Sequence, residues 1–104
     1  MNHYKLLSHT ENGYITRCNN CKLYRLAFGT TMIQLSKNEL TELRQEVIIQ
    51  LELYPHQGFH DQKIIQIPIP TPVSCLILNY TELTKLADML TEVNLMEAVE
   101  AFLF

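Results

Sequence analysis

The sequence is poor in the residues on which several large classes of site depend. It has no tryptophan, and its three glycines are scattered, so no glycine-rich phosphate loop is present. No serine lies in a nucleophile-elbow motif. The longest uncharged apolar run is far shorter than the roughly 20 residues that a membrane-spanning helix needs. The N-terminal residues show no apolar h-region of a secretory signal. We therefore expect neither membrane insertion nor secretion.

Cysteine is also scarce. Three cysteines are an odd number and form no disulfide framework. Such usage favours a reducing compartment, and we expect a cytoplasmic protein.

Groups suited to acid–base catalysis are few. The only side chains that titrate near neutrality by default are four histidines, namely His3, His9, His56 and His60. His60 neighbours Asp61, but adjacency in sequence does not orient an imidazole. We find no catalytic constellation, and the sequence favours a non-enzymatic role.

The composition is that of one globular domain spanning residues 1–104, with 47% hydrophobic and 18% charged residues. Charge is unevenly spread within it. Residues 1–38 hold five basic residues and one acidic residue, whereas residues 39–104 hold three basic and ten acidic ones. Internal neutralisation of the two halves is the simpler interpretation. The alternative is a positive sheet face that meets an anion or a partner.

A repeated segment indicates the architecture. Residues 32–47 and 75–90 each contain an apolar run, a helix-capping residue and an amphipathic helix. At an offset of 43, five identical pairs coincide: Leu35/Leu78, Glu39/Glu82, Leu40/Leu83, Thr41/Thr84 and Leu43/Leu86. Ser36 with Glu39, and Asn79 with Glu82, have the spacing of helix N-caps reinforced by a glutamate three residues on. The repeat predicts two pseudo-symmetric β-β-α units, at about 13–53 and 63–104.

Turn signals divide the rest into strands. Turns are predicted at Asn12-Gly13, Asn19-Asn20 and Gly29-Thr30. The predicted strands are 4–10, 14–18, 21–28, 31–35, 63–69 and 73–78. Pro68, Pro70 and Pro72 remove hydrogen-bond donors along one side, which places their segment at a sheet edge. Asn94 and Glu97 resemble a third cap, which predicts a break and a short C-terminal helix.

These elements predict an α+β fold. Strands come in runs, each followed by a helix, with no alternating βαβ pattern. We expect one antiparallel sheet of about five to six strands with two main helices on one face.

Cys18 and Cys21 form a Cys-x-x-Cys pair in the predicted hairpin turn, where their side chains are expected to share a face. The first interpretation is ordinary packing near a turn. The second is half of a zinc site, completed by His56 and His60, with Cys75 as a less suitable ligand because it is expected in the core. The third is thiol redox chemistry, which the flanking Arg17 and Lys22 favour only weakly.

Two further surfaces suggest binding. The C-terminal residues Phe102, Leu103 and Phe104 cannot all face one core from a single helical turn, so we expect a self-association or partner surface there. Basic and aromatic side chains mingle on the N-terminal hairpin, where Arg17 is predicted to oppose Lys22 and Tyr14 to oppose Arg25. That mixture is typical of some single-strand nucleic-acid binders, but the chain is acidic overall, so nucleic-acid binding is the lesser alternative.

Four short motifs carry a family resemblance: Gly13-Tyr14, Cys18-x-x-Cys21, Leu26-Ala27-Phe28-Gly29 and Leu35-Ser36-x-x-Glu39-Leu40. Across roughly residues 12–90 the chain resembles a family of short, uncharacterised proteins from Bacteroidota. The resemblance implies a cytoplasmic location and transfers no catalytic residue. Our leading hypothesis is a small non-enzymatic domain that acts through protein contacts as a homodimer. The alternative is a zinc-stabilised or thiol-reactive module built on Cys18 and Cys21.

Overall fold

Six strands and two helices make up the described part of the chain. The computed structural model describes residues 3–53, 62–63, 65–69 and 74–103. Its elements are β1 (Tyr4–Thr10), β2 (Gly13–Cys18), β3 (Tyr24–Phe28), β4 (Thr31–Leu35), α1 (Lys37–Leu53), β5 (Ile65–Ile69), β6 (Ser74–Leu78) and α2 (Tyr80–Leu103). The predicted α+β class and the order of strands and main helices are confirmed.

The first four strands form an antiparallel sheet in the order β1-β2-β3-β4. Alternate residues point to opposite faces of a sheet, and one face here is apolar. Ile15, Leu26 and Ile33 lie side by side across three strands, and all three are buried. In β1 the register shifts between Leu6 and Ser8, which marks a β-bulge at the edge of this sheet.

The first turn lies one residue earlier than predicted, at residues 11–12, and Gly13 already belongs to β2. Gly13 does not need positive φ. Glycine is needed there because the backbone of Ala27 passes close by: a Cβ on residue 13 would lie 1.8 Å from the carbonyl oxygen of Ala27. Gly29 does adopt a left-handed backbone, with φ 61°, in the predicted turn between β3 and β4.

The loop between β2 and β3 is longer than predicted. Cys18 donates its backbone N–H to the carbonyl of Leu23, at 2.7 Å, so four residues rather than two close this turn. Lys22 adopts φ 59° within it. The predicted cross-strand neighbours are therefore wrong by two positions: Arg17 opposes Tyr24, and Tyr14 opposes Ala27.

β5 and β6 form a separate two-stranded sheet, so the predicted single sheet of five to six strands is not observed in the described residues. β5 packs against α1 instead of extending the first sheet. Pro68 lies opposite Cys75 in this hairpin. Pro70 and Pro72 lie outside the described residues.

Both predicted helix starts are confirmed at atomic detail. The Ser36 N–H donates to Glu39 at 2.8 Å, and the Glu39 N–H donates to the Ser36 hydroxyl at 3.2 Å. Asn79 and Glu82 exchange the same two bonds, at 2.9 and 2.8 Å. Reciprocal bonds of this kind satisfy amides that the first helical turn leaves open.

The predicted break at Asn94 is wrong. α2 runs without interruption from Tyr80 to Leu103, so there is no separate C-terminal helix. Glu97 does not turn back to cap Asn94. Its carboxylate is held by side chains of the first sheet and of α1 instead.

The two helices and both sheets share one apolar core. Leu40, Leu43 and Val47 of α1 are buried in it. The stripe from α2 consists of Leu83, Leu86, Met89, Leu90 and Val93. The three leucine pairs matched by the repeat are buried in both units, whereas the pseudo-twofold symmetry of the units stays a prediction. Neither described helix is both long enough and apolar enough to cross a bilayer.

Candidate functional site

Cys18 ends β2, and Cys21 lies in the loop between β2 and β3. The structure joins the two residues as a disulfide, with their Cα atoms 5.5 Å apart. The Cys21 N–H also points at the Cys18 sulfur, at 3.0 Å. Cys18 is buried and Cys21 is exposed. The two side chains lie close together, as expected from the sequence, although the turn between them is longer than predicted.

A cavity of about 360 Å³ lies beside this loop and is positively charged. Arg17, Lys22 and Lys37 line it together with Cys18 and Tyr24. Lys37 comes from the start of α1, far along the sequence, so only the tertiary fold adds this third cation. Cationic surroundings favour a thiolate over a thiol when the pair is reduced.

The other predicted metal ligands do not join this loop in the described residues. His56 and His60 lie outside those residues. Cys75 was expected in the core but is exposed, because it lies on the solvent-facing side of β6. Within the described ranges no three histidine, cysteine or acidic side chains cluster as a metal site would require. A zinc site on these residues stays a prediction.

A charged cluster fixes the C-terminal part of α2 to the first sheet. Arg17 donates to Glu97 at 2.9 Å and to both carboxylate oxygens of Glu100, at 2.7 and 3.1 Å. Lys5 donates to Glu100 at 2.6 Å. Lys37 and the Tyr24 hydroxyl each donate to Glu97 at 2.5 Å. The basic N-terminal half thus neutralises acids of the C-terminal half, as the simpler interpretation of the sequence expected.

The pKa values in this cluster follow from these contacts. Hydrogen bonds from Arg17 and then Lys5 lower the pKa of Glu100 to about 2. Burial by itself raises the pKa of Glu97, but hydrogen bonds from Lys37, Tyr24 and Arg17 outweigh it, so the net pKa is lowered. Burial and the bond to Glu97 raise the pKa of Tyr24. Donation to Glu100 is the chief reason that the pKa of Arg17 is raised. Both glutamates therefore stay ionised at neutral pH.

A stripe of exposed apolar side chains follows on α2. Leu95 is 64% exposed, Val99 49%, Phe102 89% and Leu103 65%. Their spacing of four, three and one residues places them on one side of a helix with 3.6 residues per turn. We call these four residues the α2 stripe. Leu103 and Phe102 were predicted as interaction residues, and Phe104 lies outside the described residues.

The α2 stripe lies on the face opposite the core. Leu95 follows Leu86, and Phe102 follows Val93, by nine residues, which is about two and a half helical turns. Leu86 and Val93 are buried. Earlier in the helix the same outer face is polar, carrying Thr81, Asp88, Thr91 and Glu92. The change to apolar residues at Leu95 bounds the exposed surface at one end.

Sequence reasoning missed two of these features. Glu97 was interpreted as a capping residue and Glu100 was not singled out, because nothing local indicated their partners on β1, β2, β3 and α1. The α2 stripe was recognised only at its last residues, because a break at Asn94 hid its helical continuity with Leu95 and Val99. The spacing of Leu95, Val99 and Phe102 was the signal that could have extended it.

Comparison with known proteins gives a family and no activity. A family model described as a family of unknown function, DUF6686, matches residues 1–102. No curated protein matches the chain. No solved structure matches it either.

Proposed function

The chain belongs to the DUF6686 family, whose function is unknown, and we propose that it is a non-enzymatic domain that forms a homodimer through the α2 stripe. The observation that carries the proposal is the exposure of Leu95, Val99, Phe102 and Leu103 on one helix face. A helix that is apolar on both sides is normally buried on both sides.

The charges around the α2 stripe suit contact with a second copy. The nearby acids Glu97 and Glu100 are turned towards the first sheet, where Arg17, Lys5 and Lys37 neutralise them. Ala98, which is exposed and borders the stripe, is small and allows close approach of another helix. Two identical stripes related by a twofold axis therefore meet without repulsion between Glu97 and Glu100 of the two copies.

The size of the interface sets a further expectation. Specific interfaces bury about 800 Å² on each partner. Phe102 is the most exposed of the four side chains and is aromatic, so we expect it to contribute most to the dimer.

The test is the molar mass of the protein and of one variant by light scattering after size exclusion. The wild-type chain is expected at twice its 12.1 kDa mass. Phe102→Glu is expected to give a monomer with an unchanged fold, because Phe102 is 89% exposed and a buried glutamate at the interface is unpaired. Ile49→Glu, at a 50% exposed apolar position on α1, is the matched control and should remain dimeric. A wild-type chain that is monomeric and well folded at micromolar concentration would show that the proposal is wrong, as would equal dissociation by Ile49→Glu.

A second candidate function is thiol–disulfide exchange at Cys18 and Cys21. It is favoured by the bonded state of the pair and by Lys22, since the other two cations of the adjoining cavity, Arg17 and Lys37, are ion-paired with acids of α2. In the reduced protein, the exposed Cys21 thiolate attacks the disulfide of a low-molecular-weight partner and releases one thiol. Cys18 then displaces the second thiol and closes the protein disulfide. Two electrons and two protons pass from the protein to the partner.

Alkylation of thiols after equilibration with reduced and oxidised dithiothreitol tests this candidate. Two thiols are expected to disappear together in one two-electron transition, whereas Cys75 stays reactive throughout. Cys21→Ser should abolish that transition, and Cys75→Ser should leave it intact. Stoichiometric zinc in protein purified without chelators, with both cysteines reduced, would instead support the metal-binding alternative.

Nucleic-acid binding remains a prediction of the sequence. Two of the basic residues behind it are engaged within the chain, since Arg17 binds Glu97 and Glu100, and Arg25 stacks on the Tyr4 ring at 4.1 Å. The basic residues left for a phosphate backbone are correspondingly few.

A further inference from the structure

The outer edges of the two sheets are not equally protected. An unprotected edge strand presents backbone N–H and C=O groups that another strand can pair with. In β1 the bulge between Leu6 and Ser8 disrupts the edge, and in β5 Pro68 removes a donor. The other two edge strands, β4 and β6, contain neither a bulge nor a proline. No strand among the described residues pairs with β4 opposite β3, or with β6 opposite β5.

These two open edges face the same groove. One cavity, of about 400 Å³, is lined by residues 31–34 of β4, by residues 74–75 of β6 and by Ile69 at the end of β5. Successive strand residues point to opposite faces of a sheet. A cavity that touches four successive residues therefore lies along the edge of β4 and not on either face. A second cavity, of about 280 Å³, is lined by residues 28–31 and 75–78 and shows the same pattern along β6.

The side chains along the groove define what fits it. Ile33 and Leu76 are buried on the core side, and Met32 and Ile77 are exposed on the other side. No charged residue lines the cavity beside residues 31–34. At the far end of the second cavity Lys63 and Glu82 are paired with each other at 3.0 Å. The groove is therefore neutral, with the polar side chains of Thr31, Gln34 and Ser74 lying beside the apolar ones.

We propose that the groove between β4 and β6 binds an extended, uncharged peptide segment of a partner protein, which pairs with both strand edges. Main-chain hydrogen bonds hold such a peptide, and alternate side chains select its sequence. Aliphatic side chains on one side of the peptide contact Ile33 and Leu76. The inserted strand joins the two sheets into one. This site is separate from the α2 stripe, so it does not depend on dimer formation.

The register of β5 and β6 indicates where the backbone contacts form. Pro68 has no N–H, and it is tolerated where that group would point away from the neighbouring strand. In an antiparallel pair of this kind, the N–H and C=O of the opposing residue also point outward. The opposing residue is Cys75, which lines both cavities. We therefore expect the Cys75 amide to donate to the bound peptide.

Amide hydrogen exchange with synthetic peptides tests the proposal. The probes are peptides of about nine residues in which valine alternates with serine or threonine, longer than a typical strand. The peptide is added at roughly 1 mM, so that binding with a dissociation constant as weak as about 1 mM is detected. Alternate amides of β4 and β6 are expected to exchange more slowly than in the free protein. The same peptides N-methylated at every second amide should not protect them. Cys75→Pro should weaken binding at least about tenfold, whereas Cys75→Ala, which keeps the N–H, should not.

Several results would overturn the proposal. One is protection of neither strand by any of the probes. Another is protection of β4 and β6 edge amides in the free protein, which would mean that the chain itself fills the groove. Protection confined to residues 95–103 would place peptide binding on the α2 stripe instead. Equal loss of affinity in Cys75→Pro and Cys75→Ala would show that the Cys75 amide does not bind the peptide. If Cys75→Pro does not fold, the N-methylated peptides provide the test of backbone pairing.

Discussion

Glu97 illustrates how the tertiary surroundings decide what one side chain does. Three residues after Asn94, it has the spacing of a capping glutamate, and the sequence alone predicts a helix start there. In the structure its carboxylate accepts hydrogen bonds from Arg17, Tyr24 and Lys37. As a cap, Glu97 would accept one bond from a backbone N–H, whereas here it accepts three bonds, two of them from cations, so these contacts prevail.

Glu100 yields a prediction at the residue scale. Its folded-state pKa of about 2 lies below the ordinary value of 4.5, so the stabilisation it provides is complete above pH 4.5 and is lost as the pH falls towards 2. We expect Glu100→Gln to lower the melting temperature at neutral pH. We also expect a shallower decline of melting temperature between pH 4.5 and pH 2 than in the wild type.

Thermal unfolding monitored by circular dichroism across that pH range measures both effects. Glu92→Gln, on an exposed position of the same helix, is the control and should follow the wild-type curve. Parallel curves for Glu100→Gln and the wild type would show that the bonds to Arg17 and Lys5 do not contribute to acid stability.

At the scale of elements, the starts of the two helices depend on contacts within a few residues, whereas the end of α2 depends on contacts with other elements. Ser36 and Asn79 form their caps with residues three positions away, which is why the sequence predicts both. The continuation of α2 past Asn94 depends instead on β1, β2 and α1, because residues from these elements bind Glu97 and Glu100.

The three asparagine and serine positions should respond differently to alanine. Ser36→Ala and Asn79→Ala are each expected to lower the free energy of unfolding by about 1 kcal/mol, since each leaves a helix amide unsatisfied. Asn94→Ala is expected to raise it by a few tenths of a kcal/mol, because alanine is the better residue in an exposed helix interior.

Urea unfolding of the three variants measures these differences. Asn94→Ala serves as the internal control for the loss of a polar side chain without loss of a cap. If Asn94→Ala lowers the free energy of unfolding as much as the other two substitutions do, then α2 is capped at Asn94 after all.

At the scale of the whole molecule, the sequence separates into two charged halves that the fold brings together. Basic residues of β1, β2 and the start of α1 bind acids near the end of α2. One pair has the reverse arrangement, since Lys85 of the acidic half binds Glu11 of the basic half. The same packing orients the α2 stripe outward, and it places the β4 and β6 edges, which pair with no other described strand, along a groove. Both proposed binding surfaces are therefore consequences of how the units pack.

Local rules explain which parts of the fold could be predicted. Alternation of apolar residues, turn signals and capping pairs act over a few positions, so the α+β class and the order of the strands and main helices follow from them. Loop length is less well specified: the Asn19-Asn20 signal predicted a two-residue turn, but the Cys18 amide bonds to Leu23. That difference shifts every β2–β3 pair by two residues and moves Cys21 from the predicted strand into the loop that follows Cys18.

The sequence by itself determined where the helices begin, which faces of the elements are apolar and that a Cys-x-x-Cys pair lies near a turn, because these depend on neighbours a few residues apart. Only the tertiary structure decided that the strands form two sheets, that α2 continues to Leu103 and that three cations gather beside Cys18. These outcomes depend on contacts between residues as distant as Arg17 and Glu100, and the free energy of such contacts exists only once the chain has folded.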